Sequence, residues 1–243
     1  MDWNNKTWKI EDVIYQPKRK VHNRGSRFHP HVIGEFYSHK MDHSVEYQSM
    51  TEFKFFSFLE LDNSILRYYV RPVEITDEIN KAKFFVPDVL VFKQGNIPCL
   101  YDVESSSIDT DVRHYQVCER YAFLNNWDYV VVYPRNLPKV IDQNITFLVG
   151  FTKKRFGLTE NIEELLSRVR FFGEISIKEL AASFRHKKHP LQIMPFIYHL
   201  IAIGVFNVDL RSPITENSLV FVDKKQAQNL FLDGWERVNI AIQ

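Results

Sequence analysis

Three acidic residues carry the chemistry that this sequence can do. Asp88 follows Pro87 in a run rich in β-forming residues, Lys83 to Phe92, and Asp102 and Glu104 flank Val103 in a second such run, Pro98 to Glu104. Residues i and i+2 of a strand share a face, so Asp102 and Glu104 point the same way. Lys93-Gln-Gly-Asn-Ile between the runs reads as a turn, which makes the strands antiparallel. A hairpin centred on Gly95 sets residue 88 opposite residue 102, and three carboxylates then converge. Like charges this close repel and raise one another's pKa. A divalent cation reverses that logic: Mg²⁺ takes carboxylate oxygens, activates water and offsets charge on a phosphoryl group. The competing reading is a solvated acidic strand face.

Glu52 is a fourth candidate. Ser49-Met-Thr-Glu52 opens a helix to about Leu61, on which Glu52 shares a face with Phe55, Phe56 and Leu59. Facing the core, Glu52 would lean towards the sheet. Ser49-x-x-Glu52 is also a capping box, in which the glutamate serves only the helix end.

The remaining elements must position these groups. Ile65 to Val70 and Val73 to Ile75 read as strand interrupted by Pro72, and Asp109 to about Asn125 reads as helix. Tyr129 to Tyr133 is apolar throughout, as in a strand central to a sheet covered on both faces. These elements form a mixed α/β unit. Further on come a helix from Glu160 to Arg170, a capping box Ser176-x-x-Glu179 opening a short helix, and a helix from Pro190 to Ile203 stopped by Gly204. Strands at Val205 to Asp209 and Leu219 to Val222 complete the order of a winged helix. The expected division is a basic arm (1–32), a restriction-endonuclease-like domain (33–150) and a winged-helix-like domain (151–243).

Bulk charge excludes some classes. Lys and Arg number 31 against 30 Asp and Glu, too balanced for a protein that coats DNA unaided. Two cysteines, Cys99 and Cys118, cannot form a disulfide framework, and Cys118 reads as an inert buried thiol. No apolar run approaches the roughly 18 residues of a membrane span, and the N-terminus does not read as a signal peptide, so a cytoplasmic location is expected. The balance hides a polarised start: Val13 to Val32 holds Lys18, Arg19, Lys20, Arg24 and Arg27 and no acid. That arm, and the turn with Arg185, Lys187 and Lys188, suit phosphate contact or are simply solvated. Arg113, Gln116 and Arg120 read mainly as a solvated helix side. His39 and His43 sit in a loop and make a poor zinc pair.

A helix glutamate, a Pro-Asp and an acid-x-(Lys or Glu) strand follow the order of the PD-(D/E)xK nuclease superfamily. The longer string is more specific. Gly34-Glu-Phe36-Tyr-Ser38-His-Lys40, Val45-Glu-Tyr47-Gln-Ser49-Met-Thr-Glu52, Phe58-Leu-Glu-Leu-Asp62 and Val70-Arg-Pro72 ahead of Val86-Pro-Asp88 resembles the TnsA-type endonuclease subunit of heteromeric transposases. The resemblance implies 5′-end cleavage of a transposon beside a DDE-type partner transposase (TnsB-like). It also implies contact of the C-terminal domain with an AAA+ regulator ATPase (TnsC-like). The family's catalytic residues fall on Glu52, Asp88, Asp102 and Glu104. Mg²⁺, or Mn²⁺ in its place, would be held by Glu52, Asp88, Asp102 and the Val103 carbonyl. The sequence departs from the family where Glu104 stands for the usual lysine. Glu104 then acts as a base or recruits a second metal, or the site is weakened and the chain is a scaffold joining DNA, transposase and ATPase. A stand-alone restriction-like nuclease is the other enzyme reading.

Overall fold

The computed structural model describes residue 3 and residues 6–21, 32–105, 112–134, 137–153, 159–184 and 188–222. The protein is mixed α/β, with a mixed sheet flanked by helices. Four strands form that sheet in the order β3 (Ile65–Val70), β6 (Val89–Lys93), β7 (Cys99–Val103), β8 (Asp128–Val132). The first two neighbours pair antiparallel, and β7 pairs parallel with β8. Between β7 and β8 the chain passes through α3 (Val112–Leu124), the crossover that parallel pairing demands. Val89 to Phe92 and Leu100 to Val103 are buried without alternation, because β6 and β7 are covered on both faces.

Alternation assigns the faces. Asp88, Leu90, Leu100 and Asp102 share one face, with α3 over its Asp102 end through His114. The Phe55 ring lies tilted 5.3 Å from Tyr101 and Phe56 packs 6.5 Å from Tyr68, which puts α2 (Met50–Leu61) on the opposite face. Nearly every side chain of α2 is buried, since the sheet, the β1–β2 hairpin (Gly34–Ser38, His43–Tyr47) and α4 (Lys139–Val149) all pack around it. Two further short strands, β4 (Ile75–Thr76) and β5 (Phe84–Phe85), pair with each other beside α3.

Three expectations need correction. The N-terminal stretch is not wholly an extended arm. Residues 9–14 form α1 (Lys9–Ile14), and Trp3, Trp8 and Tyr15 pack edge-on or tilted against Phe92, Tyr69 and Trp127. Apolar packing fixes this segment, and Asp12 accepts from Arg67 at 2.7 Å and from the Tyr69 hydroxyl at 2.8 Å. The apolar Tyr129–Tyr133 run is not central: β8 is the outermost strand of the sheet among the described residues, with its first three residues partly exposed. Apolar runs of this length arise equally on an edge capped by a crossover helix. Val205 to Asp209 is not a strand but a single bridge, Asn207 with Phe221. The main partner of β10 (Leu219–Phe221) is instead β9 (Glu174–Ser176), too short to read from its sequence. The helix α4 was not anticipated, although its Ile145, Leu148 and Val149 fall at helical spacing on the buried face.

The last third contains α5 (Thr159–Phe172), β9, α6 (Ile177–Ala182), α7 (Pro190–Ala202) and β10. The Ser176–Glu179 capping box forms at α6 as expected. Gly204 ends α7 at φ +74°, and a Cβ there would lie 1.8 Å from the Asn63 Oδ1. One continuous apolar core runs through both halves. Buried Asn144 on α4 clasps them: its amide donates to the Leu210 and Ser212 carbonyls at 2.9 and 2.8 Å and accepts from the Ile214 N–H at 3.0 Å. Asn144→Ala is expected to cost about 2–3 kcal/mol, the penalty of stranding these buried groups. Urea unfolding checks this, and a loss below about 1 kcal/mol means that the clasp is not formed in solution.

Candidate metal centre

Two of the expected carboxylates, Asp88 and Asp102, meet at one end of the sheet, but among the described residues the only group of three possible ligands within 4.8 Å of one another is Asp102, His114 and Cys118, not the expected set of Glu52, Asp88, Asp102 and Glu104. Val89 pairs with Tyr101 and Val91 with Cys99, the register centred on Gly95, which turns at φ +82°. One step further, Asp88 lies across from Asp102. The Asp88 N–H donates to Asp102 Oδ1 at 3.2 Å, and the Val103 N–H donates to Asp88 Oδ2 at 2.7 Å. Glu104 continues the line, its N–H bonded to the Val132 carbonyl at 2.9 Å.

Burial, followed by the charges of Asp102 and Glu52, pushes the Asp88 carboxyl well above the usual carboxylate range; Glu104 adds to this and the Val103 N–H opposes it. Glu104 is raised too, by burial and then Asp102, against the pull of Tyr115 and His114. Hard oxygen donors crowded at a cost in charge fit a divalent cation, which would relieve the repulsion.

Glu52 reaches this end from the other face of the sheet. The Ser49 hydroxyl accepts from the Glu52 N–H at 3.0 Å, so Ser49 is the cap. The Glu52 carboxylate does not complete the box on Ser49. Its Oε2 accepts from the Gln48 N–H at 3.0 Å and contacts the Arg71 guanidinium at 3.4 Å. Burial raises the Glu52 carboxyl, and Gln48 and Arg71 pull the other way. Glu52 is thus both a helix-end residue and a charge felt by Asp88.

Arg71 is the cation that the sequence left unassigned. Its side chain is buried, a second guanidinium nitrogen donates to the Glu46 carbonyl at 3.1 Å, and its backbone takes φ +50°. A non-glycine residue held there stores roughly 1 kcal/mol or more of strain, a cost that clusters at functional positions. The backbone of Arg71 joins the site to the basic segment: its N–H donates to the Asp88 carbonyl at 2.7 Å, and its carbonyl accepts from the Lys18 N–H at 2.9 Å. Arg71→Met is expected to destabilise the fold by about 3–5 kcal/mol, because Glu52 is left buried without its partner. Adding Glu52→Gln should recover much of that loss. A double-mutant cycle checks the pair, and additive effects would break the link between them.

The structure also brings in His114 and Tyr129, which the sequence did not mark, and Cys118, which read as an inert buried thiol. Asp102 Oδ2 is contacted by His114 Nε2 at 2.7 Å and accepts from the Tyr129 hydroxyl at 2.5 Å. Cys118 Sγ lies 3.6 Å from the same His114 nitrogen. Positions 114, 118 and 122 lie four apart, and the buried Cys118 and Ala122 mark the sheet-facing stripe that His114 extends.

The candidate DNA contacts divide. Lys18, Arg19 and Lys20 are exposed beside Arg71. Lys188 is half-buried, with its ammonium 6.0 Å from the Phe196 ring centre. Arg24, Arg27, Arg185 and Lys187 lie outside the described residues. Arg113 pairs with Asp77 and Arg120 with Glu78. No helix among the described residues is long and apolar enough to cross a membrane. No family model matches the chain, and no curated protein matches it significantly.

Proposed function

We propose that the protein is a Mg²⁺-dependent DNA endonuclease, the 5′-cleaving subunit of a heteromeric transposase of TnsA type. The observation that carries this reading is the junction of Asp88 and Asp102 across the β6–β7 register, with Glu104 next in line. The sheet fits a restriction-endonuclease-like core. The order α5, β9, α6, α7, β10, with β9 paired to β10, fits a winged-helix-like domain. That domain suits docking to an AAA+ regulator, because α7 is buried along much of its length and offers little surface for reading bases.

A bound Mg²⁺ would polarise the scissile phosphate and lower the pKa of an attacking water. Asp88 and Asp102 would hold it, with the Val103 carbonyl as a further oxygen, and Mn²⁺ would serve in its place. His114 and Tyr129 fix the Asp102 carboxylate, which keeps that ligand's geometry constant. Glu104, whose carboxyl is pushed upward by burial and by Asp102, would serve as the general base. Lys18, Arg19 and Lys20 would hold the backbone phosphates beside the cut, with salt-sensitive affinity.

Two observations favour a scaffold without cleavage: Glu52 is engaged by Arg71, and Glu104 stands where the family's lysine would be. Excision reconstituted with the partner transposase, Mg²⁺ and end-labelled transposon DNA separates the readings. Wild type should release 5′ ends, and Asp88→Ala should lower the rate by at least about 10²–10³-fold, the scale of losing a preorganised electrostatic group. Absence of 5′ cleavage in wild type supports the scaffold, and cleavage that survives Asp88→Ala removes the assignment.

A further inference from the structure

Asp102 has two oxygens, and they face different chemistry. Oδ1 meets the Asp88 backbone and belongs with the hard carboxylate cluster. Oδ2 faces an imidazole and, beyond it, a thiol: His114 Nε2 at 2.7 Å, with Cys118 Sγ 3.6 Å further on. One ligand atom from each of Asp102, His114 and Cys118 lies within 4.8 Å of the other two. We propose that these three residues form a second metal site, selective for a thiophilic divalent ion of the Zn²⁺ class rather than for Mg²⁺.

Donor type and geometry both support this. Thiolate and imidazole select Zn²⁺ and its neighbours, whereas Mg²⁺ prefers oxygen alone. Bonds of about 2.0–2.1 Å to nitrogen or oxygen and 2.3 Å to sulfur place tetrahedral ligand atoms about 3.3–3.7 Å apart. The sulfur–nitrogen separation already matches. The shorter His114–Asp102 contact opens by about half an ångström when the ion replaces the proton between them. His114 and Cys118 are four apart on α3, the spacing that sets two ligands on one helical face. Tyr129 donates to the same carboxylate oxygen and so supplies the outer partner that metal ligands usually carry. Cys118 is fully buried while His114 is partly exposed, which gives the ion a way in from the His114 side. Binding replaces the Cys118 thiol proton, which passes to solvent, with a sulfur–metal bond, and the neutral His114 carries its proton on Nδ1 so that Nε2 is open to the ion. Three protein ligands leave a fourth position open, the arrangement of exchangeable rather than closed zinc sites.

The site shares Asp102 with the proposed nuclease centre but does not depend on that reading, and it can be tested without DNA. Titrating the full-length, metal-free protein with Co²⁺ should give a thiolate-to-cobalt charge-transfer band that saturates at one equivalent and is removed by Zn²⁺. Cys118→Ser should abolish the band and Cys99→Ser should keep it. Asp88→Ala should also keep it, although that variant loses the proposed cleavage, so the two readings fail separately. His114→Asn, at a partly exposed position, should weaken Co²⁺ binding at least about 10-fold, with folding checked by circular dichroism. Absence of the band in wild type, its persistence in Cys118→Ser, or unchanged Co²⁺ affinity in folded His114→Asn would each overturn the proposal.

Discussion

Asp88→Asn should make the metal-free protein more stable while removing its stabilisation by Mg²⁺ or Mn²⁺. Asp88 is a carboxylate that the fold prefers to keep protonated, because burial and the charges of Asp102 and Glu52 oppose its ionisation. The sign follows from proton binding. Between the ordinary carboxylate range and the raised value, the native state holds a proton that the unfolded chain has lost. Stability therefore falls as pH rises through that window, and the penalty is complete above the folded pKa. Asparagine removes the charge but keeps an oxygen to accept from the Val103 N–H, the bond now made at 2.7 Å. Wild type should gain stability with added cation as RT ln(1 + [M]/Kd), about 2.7 kcal/mol at one hundred times Kd. Asp88→Asn should show little of that gain and a flatter pH profile above the carboxylate range. Thermal melts from pH 4 to 8, with and without Mg²⁺, check both parts. A variant less stable than wild type at neutral pH without metal would show that the cluster is not the strained, cation-demanding arrangement described above.

Glu60→Ala should cost about 3–5 kcal/mol, the scale of removing one partner from a buried charged network. Glu60 is buried and accepts from four donors: the Ser38 hydroxyl at 2.6 Å, the Tyr68 hydroxyl at 2.9 Å, and the His39 and Lys40 N–H groups at 2.6 and 3.2 Å. Lys40 reinforces the same junction, its ammonium bonded to the Leu59 carbonyl at 2.6 Å and also to that of Asp62. Burial pulls the Lys40 pKa down to about 8, with Glu60 and Asp62 opposing. The β1–β2 turn is thereby pinned to the C-terminal end of α2. Alanine would leave two fully buried hydroxyls without this acceptor, which apolar packing cannot offset. The urea midpoint should fall with the slope unchanged. A loss under about 1 kcal/mol would mean that the hairpin is not held by this network.

Parts of this arrangement were legible in the sequence. The Asp88–Asp102 junction followed from the period-2 geometry of two strands and a glycine-centred turn, all of them local properties. Hidden were the groups that reach the cluster across the fold. Arg71 lies next to a proline in what reads as a strand interruption, and only the tertiary structure turns its guanidinium onto Glu52. His114 and Tyr129 contact Asp102 from 12 and 27 residues away. Cys118 read as an inert buried thiol, and His114 carried no signal of its own until the docking of α3 set it against Asp102. Ser38, Lys40, Glu60 and Asp62 also lie in the string that resembles the transposase subunit. Their contacts hold the hairpin to α2, so that part of the resemblance reports architecture rather than chemistry. The β9–β10 pairing was illegible for another reason: three-residue strands carry no period of their own.

The central claim is that Asp88 and Asp102 together hold a divalent cation. An anomalous difference map from crystals soaked in Mn²⁺ tests it most directly. The account predicts a peak within about 2.0–2.3 Å of oxygens from both Asp88 and Asp102, absent in Asp88→Asn crystals soaked in the same way. A map with no peak at these carboxylates, or with manganese only between His114 and Cys118, would contradict it.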